Sequence, residues 1–163
     1  MKSLIIVRHC KSSWTDPNLS DFERPLNNRG NFDGELMSNY LSDKEKKIDK
    51  LISSTSKRTR LTTKYFSQKI NFESIDYLDA LYHASYLDII NIIMEVENNL
   101  NLIMLIGHNP GLTELINYYT DMNLYNLPTT GIVKIKFKVS NWIDISKNKG
   151  FVIYRKFPKE LKL

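Results

Sequence analysis

The sequence is poor in several features that would assign a class at once, and each shortage excludes something. Its one cysteine, Cys10, rules out an internal disulfide and agrees with a reducing compartment. No apolar run approaches the roughly 20 residues needed to span a bilayer. Met1-Lys2-Ser3 leads into an apolar run far shorter than the roughly 7–15 residues of a secretory signal, so no membrane association and a cytoplasmic location are expected. No basic run is interleaved with aromatics, so the formal charge of +5 and pI near 9.2 do not by themselves indicate nucleic acid. Dispersed lysines fit solvated helix faces, or an acidic or phosphorylated partner. With three histidines in the chain, the only closely spaced pair of soft ligands is His9-Cys10, and adjacent side chains cannot readily share a tetrahedral ion, which argues against zinc. Repeats, low-complexity segments and linkers are absent, and 163 residues fit a single domain over 1–163.

What is present is concentrated in two stretches. Leu4-Ile5-Ile6-Val7 is continuously apolar, three of the four β-branched, and runs into Arg8-His9; this is the pattern of a buried strand delivering polar groups at its carboxyl end. Leu102-Ile103-Met104-Leu105-Ile106-Gly107 repeats it and ends at His108, followed by Asn109 as helix cap and Pro110 as first helical residue. In open α/β sheets ligands collect beyond the carboxyl ends of the strands, where helix N-termini offer free N–H groups to anions. Both histidines are therefore expected at one anion site.

Between these stretches, Ser12 to Leu26 has no period and contains Asp16-Pro17 and Arg24-Pro25, which predicts a loop across the strand ends. A helix follows Asn27-Asn28-Arg29-Gly30, with Phe32, Leu36, Met37, Tyr40 and Leu41 at helical spacing, and closes in a solvated turn at Ser42 to Lys47. Ile48 to Ser54 predicts a second strand, running into a hydroxyl-rich cap and a helix with Arg58 in its first turn and Leu61, Tyr65 and Phe66 on its apolar face. A cation there opposes the helix dipole, a conflict that a bound anion would relieve. Ser74 to Leu78 predicts a third strand ending at Asp79, then a helix carrying Leu87, Ile90, Ile93 and Met94; Leu112, Leu115, Ile116 and Tyr119 stripe the helix after His108. Lysines alternate with apolar residues from Ile132 to Val139, and Phe151-Val152-Ile153-Tyr154 is the hairpin partner. The order β-α-β-α-β-α-β-α-β-β predicts a three-layer α/β/α sandwich, with a mostly parallel central sheet and a C-terminal antiparallel hairpin.

Arg8, His9, Arg58 and His108 at one sheet edge suit phosphoryl transfer. Two guanidiniums grip a phosphoryl group through charge-assisted hydrogen bonds, and neighbouring cations keep an imidazole neutral. A neutral His9 can attack phosphorus, His108 can hydrogen-bond a phosphoryl oxygen, and water can release the phosphohistidine formed. Asp79, at another strand end, is the candidate acid for the leaving group. Lys11, just past the first strand, is a candidate substrate contact. His83, on a helix start without motif support, reads as an ordinary partly exposed histidine, and Tyr118, Tyr119 and Trp142 as packing residues.

Four motifs carry a resemblance. Val7-Arg8-His9-Cys10-Lys11-Ser12-Ser13-Trp14, Arg24-Pro25-Leu26-Asn27-Asn28-Arg29-Gly30, Ser53-Ser54-Thr55-Ser56-Lys57-Arg58 and Gly107-His108-Asn109-Pro110-Gly111-Leu112 resemble the histidine phosphatase superfamily, of the phosphoglycerate mutase-like fold. Within it they resemble the short SixA-type phosphohistidine phosphatases, the likeness extending through Leu127-Pro128-Thr129-Thr130 and Pro158-Lys159-Glu160-Leu161. The resemblance implies His9 as phosphoryl acceptor, Arg8 and Arg58 as phosphate ligands, His108 completing the pocket, and neither metal nor organic cofactor. It also implies an open pocket, able to admit a phosphohistidine on a protein such as a histidine phosphotransfer domain. Cys10 and Thr55-Ser56 depart from the family pattern, and Cys10 raises the expectation of an oxidation-sensitive site. The alternatives are hydrolysis of small phosphate esters with Asp79 as acid, and a phosphate-binding module without turnover.

Overall fold

The computed structural model describes residues 1–162. Among them are six strands, β1 (Lys2–Arg8), β2 (Lys47–Ser54), β3 (Asn71–Leu78), β4 (Leu102–Gly107), β5 (Ile132–Phe137) and β6 (Gly150–Lys156). Four helices, α1 (Asn28–Lys44), α2 (Lys57–Ser67), α3 (Tyr86–Met94) and α4 (Gly111–Tyr119), connect the first five. The strands form one sheet in the order β3-β2-β4-β1-β5-β6. Its first four members are parallel, and β5 runs antiparallel to both β1 and β6. This is the mostly parallel sheet with a C-terminal hairpin that the sequence predicts.

Successive side chains of a strand point to opposite faces, so the unbroken run of β1 feeds two cores. Leu4 and Ile6 pack with Ile89 and Ile93 of α3 and with Leu112 and Ile116 of α4. Ile5 and Val7 pack with Met37 and Leu41 of α1 and Phe66 of α2. The helices thus cover both faces, giving three layers. No helix among the described residues is long and apolar enough to cross a membrane.

Local differences from the sequence pattern have physical causes. The buried face of α1 is Gly30, Asp33, Gly34, Met37, Ser38 and Leu41, while Phe32 is exposed. A Cβ on Gly34 would lie 2.5 Å from the Tyr65 ring, so α1 and α2 approach too closely there for a large residue. The buried face of α2 is rich in threonine, and Thr62 satisfies its hydroxyl on the Arg58 carbonyl at 2.7 Å. β3 starts at Asn71, earlier than predicted, because this edge strand is only partly covered and shows little hydrophobic contrast. The run Ser42 to Lys47 is not a turn: α1 continues to Lys44 and β2 begins at Lys47. α4 starts one residue later than predicted, with Pro110 as cap; the Asn109 carboxamide oxygen still accepts from the Thr113 N–H at 3.3 Å.

Candidate active site

Parallel pairing of β1 with β4 sets Arg8 beside Gly107, so His9 and His108 emerge together at the carboxyl edge, their ring centroids 5.3 Å apart. β2 lies on the other side of β4 and brings Ser54 and then α2 to the same edge. α2 joins α1 on one face of the sheet, and α4 joins α3 on the other. The strand ends therefore open into the crevice between oppositely directed connections where open α/β sheets hold ligands.

The hydrogen bonds fix both imidazoles. His9 Nδ1 lies 2.7 Å from the Cys10 carbonyl, which can only accept, so Nδ1 carries the proton and Nε2 the lone pair. The Cys10 N–H is pinned to Thr62 Oγ1 at 2.9 Å, which holds this turn of backbone in place. Burial, reinforced by the charges of His108, Arg58 and Arg8 and opposed by the Cys10 carbonyl, lowers His9 to about 3. His9 is neutral at physiological pH. For His108, Arg58 Nη2 can only donate, so Nδ1, 3.3 Å away, accepts, and Nε2–H donates to Ser54 Oγ at 2.8 Å. Burial, then the Arg58 charge, lowers this ring as well, to about 3.

The two arginines are anchored and still have donors to spare. Arg8 Nη1 donates to the Leu127 carbonyl at 3.0 Å. Burial and the charges of Arg58 and Arg29 lower Arg8 from its usual value, so added negative charge would relieve it. Arg58 Nη1 donates to the Asp21 carbonyl at 2.7 Å and Nη2 to Asp21 Oδ2 at 3.1 Å. The Nε of each guanidinium is buried without a hydrogen-bond partner among the described residues. Clustered guanidiniums with free donors around two neutral imidazoles suit a tetrahedral oxyanion.

The remaining sequence candidates make other contacts. Asp79 is exposed at the end of β3 and accepts a hydrogen bond from the Thr55 hydroxyl. Lys11 is half-buried; its carbonyl accepts from the Asn27 N–H at 3.0 Å and would stand 2.1 Å from a Cβ on Gly30, which is why glycine occupies that position in the first turn of α1. Cys10 is fully buried, and burial pushes its thiol up to about 11. This corrects the expectation of oxidation sensitivity, which requires an accessible thiolate. Among the described residues no group of three or more His, Cys, Asp or Glu is placed to hold a metal ion.

Sequence reasoning missed the rim. Asp21, on a 3₁₀ turn of the loop before α1, receives Arg24 Nη2 on Oδ1 at 2.9 Å, and both Arg58 and the Tyr82 hydroxyl on Oδ2. Burial works against its charge, yet the bonds from Tyr82, Arg24 and Arg58 hold its carboxyl well below the usual carboxylate range. Arg24 is itself buried, donating to Ser12 Oγ at 2.6 Å under the exposed Trp14 ring. His83 lies against Tyr82, the ring centroids 3.9 Å apart and the planes tilted by 44°, and its Nε2 lies 3.6 Å from Asp21 Oδ2. No periodicity marks such loop residues; the one available signal was the i, i+3 spacing of Asp21 and Arg24 beside a proline.

Comparison with known proteins agrees with this geometry. The model of the histidine phosphatase superfamily (branch 1) matches residues 4–102. An uncharacterized chloroplastic protein of Arabidopsis thaliana is 29% identical over 123 residues, covering 69% of this chain; the match spans only 56% of that relative's own length. Among solved structures, a candidate phosphohistidine phosphatase SixA from Agrobacterium tumefaciens superposes with a TM-score of 0.82 at 24% identity, covering 96% of this chain and 98% of that one. The protein histidine phosphatase SixA complexed with tungstate superposes with a TM-score of 0.81 at 20% identity, covering 98% and 99%. At such identities these structures establish a shared fold.

Proposed function

The chain belongs to the histidine phosphatase superfamily, and from that premise we propose that it hydrolyses phosphohistidine carried on a protein, through a covalent phosphohistidine at His9. The observation that carries this reading is the state of His9: neutral, with Nδ1 tied to the Cys10 carbonyl and Nε2 left as a lone pair beside the buried Arg58 and the half-buried Arg8. Nε2 attacks phosphorus as the bond to the substrate's imidazole nitrogen breaks and that imidazole leaves, and the Arg8 and Arg58 guanidiniums neutralise the equatorial oxygens as charge shifts onto them. His108 is held by Ser54 and Arg58 and lines the same oxyanion position. Water then attacks the phosphoenzyme and releases inorganic phosphate. The binding of tungstate, a tetrahedral oxyanion, by a structural neighbour supports this use of the site.

The test compares a phosphohistidine peptide with an aryl phosphate ester, using wild type and His9→Ala in parallel. Preference for the peptide, with turnover and trapped phosphoenzyme both lost in His9→Ala by about 10⁴-fold or more, is the expected result. Full turnover in His9→Ala sinks the covalent mechanism. Preference for the ester moves the substrate class to small phosphomonoesters, and binding of phosphate without any phosphoenzyme moves the protein to a recognition module.

A further inference from the structure

The floor described above has a nucleophile and anion ligands, and the carboxylates nearest it among the described residues are engaged in other hydrogen bonds. Asp79 is engaged with Thr55 at the end of β3. Asp21 is closer to the floor, yet four donors occupy its two oxygens: Arg24 Nε and Nη2 on Oδ1, Arg58 Nη2 and the Tyr82 hydroxyl on Oδ2. A carboxylate so engaged has no proton to give.

His83 has the opposite character. Its ring lies 6.2 Å from that of His108, which in turn lies 5.3 Å from His9. The ring lies against Tyr82 at a tilt of 44°, Nε2 stands 3.6 Å from the Asp21 carboxylate, and 63% of the side chain is exposed to solvent. Its backbone sits at φ 58°, a left-handed conformation that costs a residue with a Cβ and persists only where the surroundings impose it.

Resting on the proposed His9 reaction, we propose that His83, with Asp21 as its counter-charge, is the general acid and base of this site. As His9 Nε2 bonds to phosphorus and the bond to the leaving oxygen or nitrogen breaks, the His83 imidazolium passes its proton to that atom. In the second step neutral His83 takes a proton from the attacking water while the Nε2–phosphorus bond breaks, so phosphate leaves and both histidines return to their starting forms.

Leaving-group dependence tests this assignment. Aryl phosphates running from 4-nitrophenyl to phenyl phosphate require progressively more protonation of the departing oxygen. Wild type is compared with His83→Asn and His83→Gly, residue types that accept a positive φ and so keep the fold. The expected result is a loss at least about tenfold greater for phenyl than for 4-nitrophenyl phosphate, within the range typical of general acids, with imidazole in the buffer restoring phenyl phosphate turnover in His83→Gly. Equal losses across the series, or no loss, overturn the assignment while leaving the His9 reading intact. A wild type inert toward the whole series overturns it too, and phosphoryl transfer from a phosphohistidine peptide to His9 then tells whether the parent reading survives.

Discussion

Arg58, His108 and His9 on the floor of the site are 4–7% exposed, whereas the rim residues Asp21 and His83 keep 40% and 63% of their side chains in solvent. The floor hangs from strand ends whose register the sheet fixes, and its imidazoles are held neutral by burial. The rim hangs from loops and is held by charge: one ionised carboxylate gathers two arginines, a tyrosine and a histidine. Burial there decides what the groups are, and charge here decides where they stand. In the proposed reaction the floor binds and attacks, and the rim orients and transfers protons.

The largest effect that would sharpen this contrast is on oxyanion affinity. Arg58→Ala should weaken competitive inhibition by tungstate and lower kcat/KM by about 10²–10³-fold, because a buried charge-assisted ligand to the transferring group is lost. Asp21→Asn should cost less, about tenfold in kcat/KM, since Arg58 keeps its bond to the Asp21 backbone carbonyl and loses only the ionic contact. Equal losses would make Asp21 part of the floor. Tighter tungstate binding in Asp21→Asn would mean that the carboxylate competes with the anion for Arg58, which would refute its positioning role.

How far the sequence disclosed each region follows the same division. Leu4 to His9 and Leu102 to His108 are legible because a continuous apolar run can only be a strand covered on both faces, and its first polar residues must then lie at the sheet edge. Arg58 is legible because a hydroxyl-rich cap precedes it, and Ser56 does cap α2. Asp21, Tyr82 and His83 are illegible because a 3₁₀ turn and an irregular connection have no period, and their meeting is settled by tertiary packing 61 residues apart in sequence. The same lack of contrast hid the start of β3 and the threonine face of α2.

Stability against pH separates floor from rim in sign as well as size. His9 and His108 have folded-state values of about 3, below the ordinary histidine value of 6.5. Between those limits the unfolded chain binds more protons than the folded one, so stability rises with pH across this window. Replacing either histidine with asparagine should flatten that rise, measured as the denaturation midpoint from pH 4 to 7. Asp21 is depressed instead, so its contribution is complete above the ordinary carboxylate value of about 4 and fades as pH falls below it. Asp21→Asn should remove part of the acid limb below pH 4 and leave the slope between 4 and 7 untouched. A changed slope in that upper window would show that the rim carboxylate also governs an imidazole, His83 beside it or those of the floor.

The smallest expected effect concerns the strain stored at the rim. His83 holds φ 58° without the freedom of glycine. A non-glycine residue in this region typically costs about 1–3 kcal/mol, while glycine brings an entropic cost of about 0.5–1 kcal/mol of its own. His83→Gly should therefore stabilise the fold by about 1 kcal/mol even as it removes the proposed acid. The contact of His83 with Tyr82 and its attraction to Asp21 work in the other direction, but both partners are half-exposed and contacts of this kind contribute little. Chemical denaturation of the two proteins decides it. A variant more stable and less active means that the rim holds a strained residue for its chemistry; a variant less stable by 1 kcal/mol or more means that His83 braces the Tyr82 and Asp21 connections, and that the strain is the cost of building the rim rather than of running it.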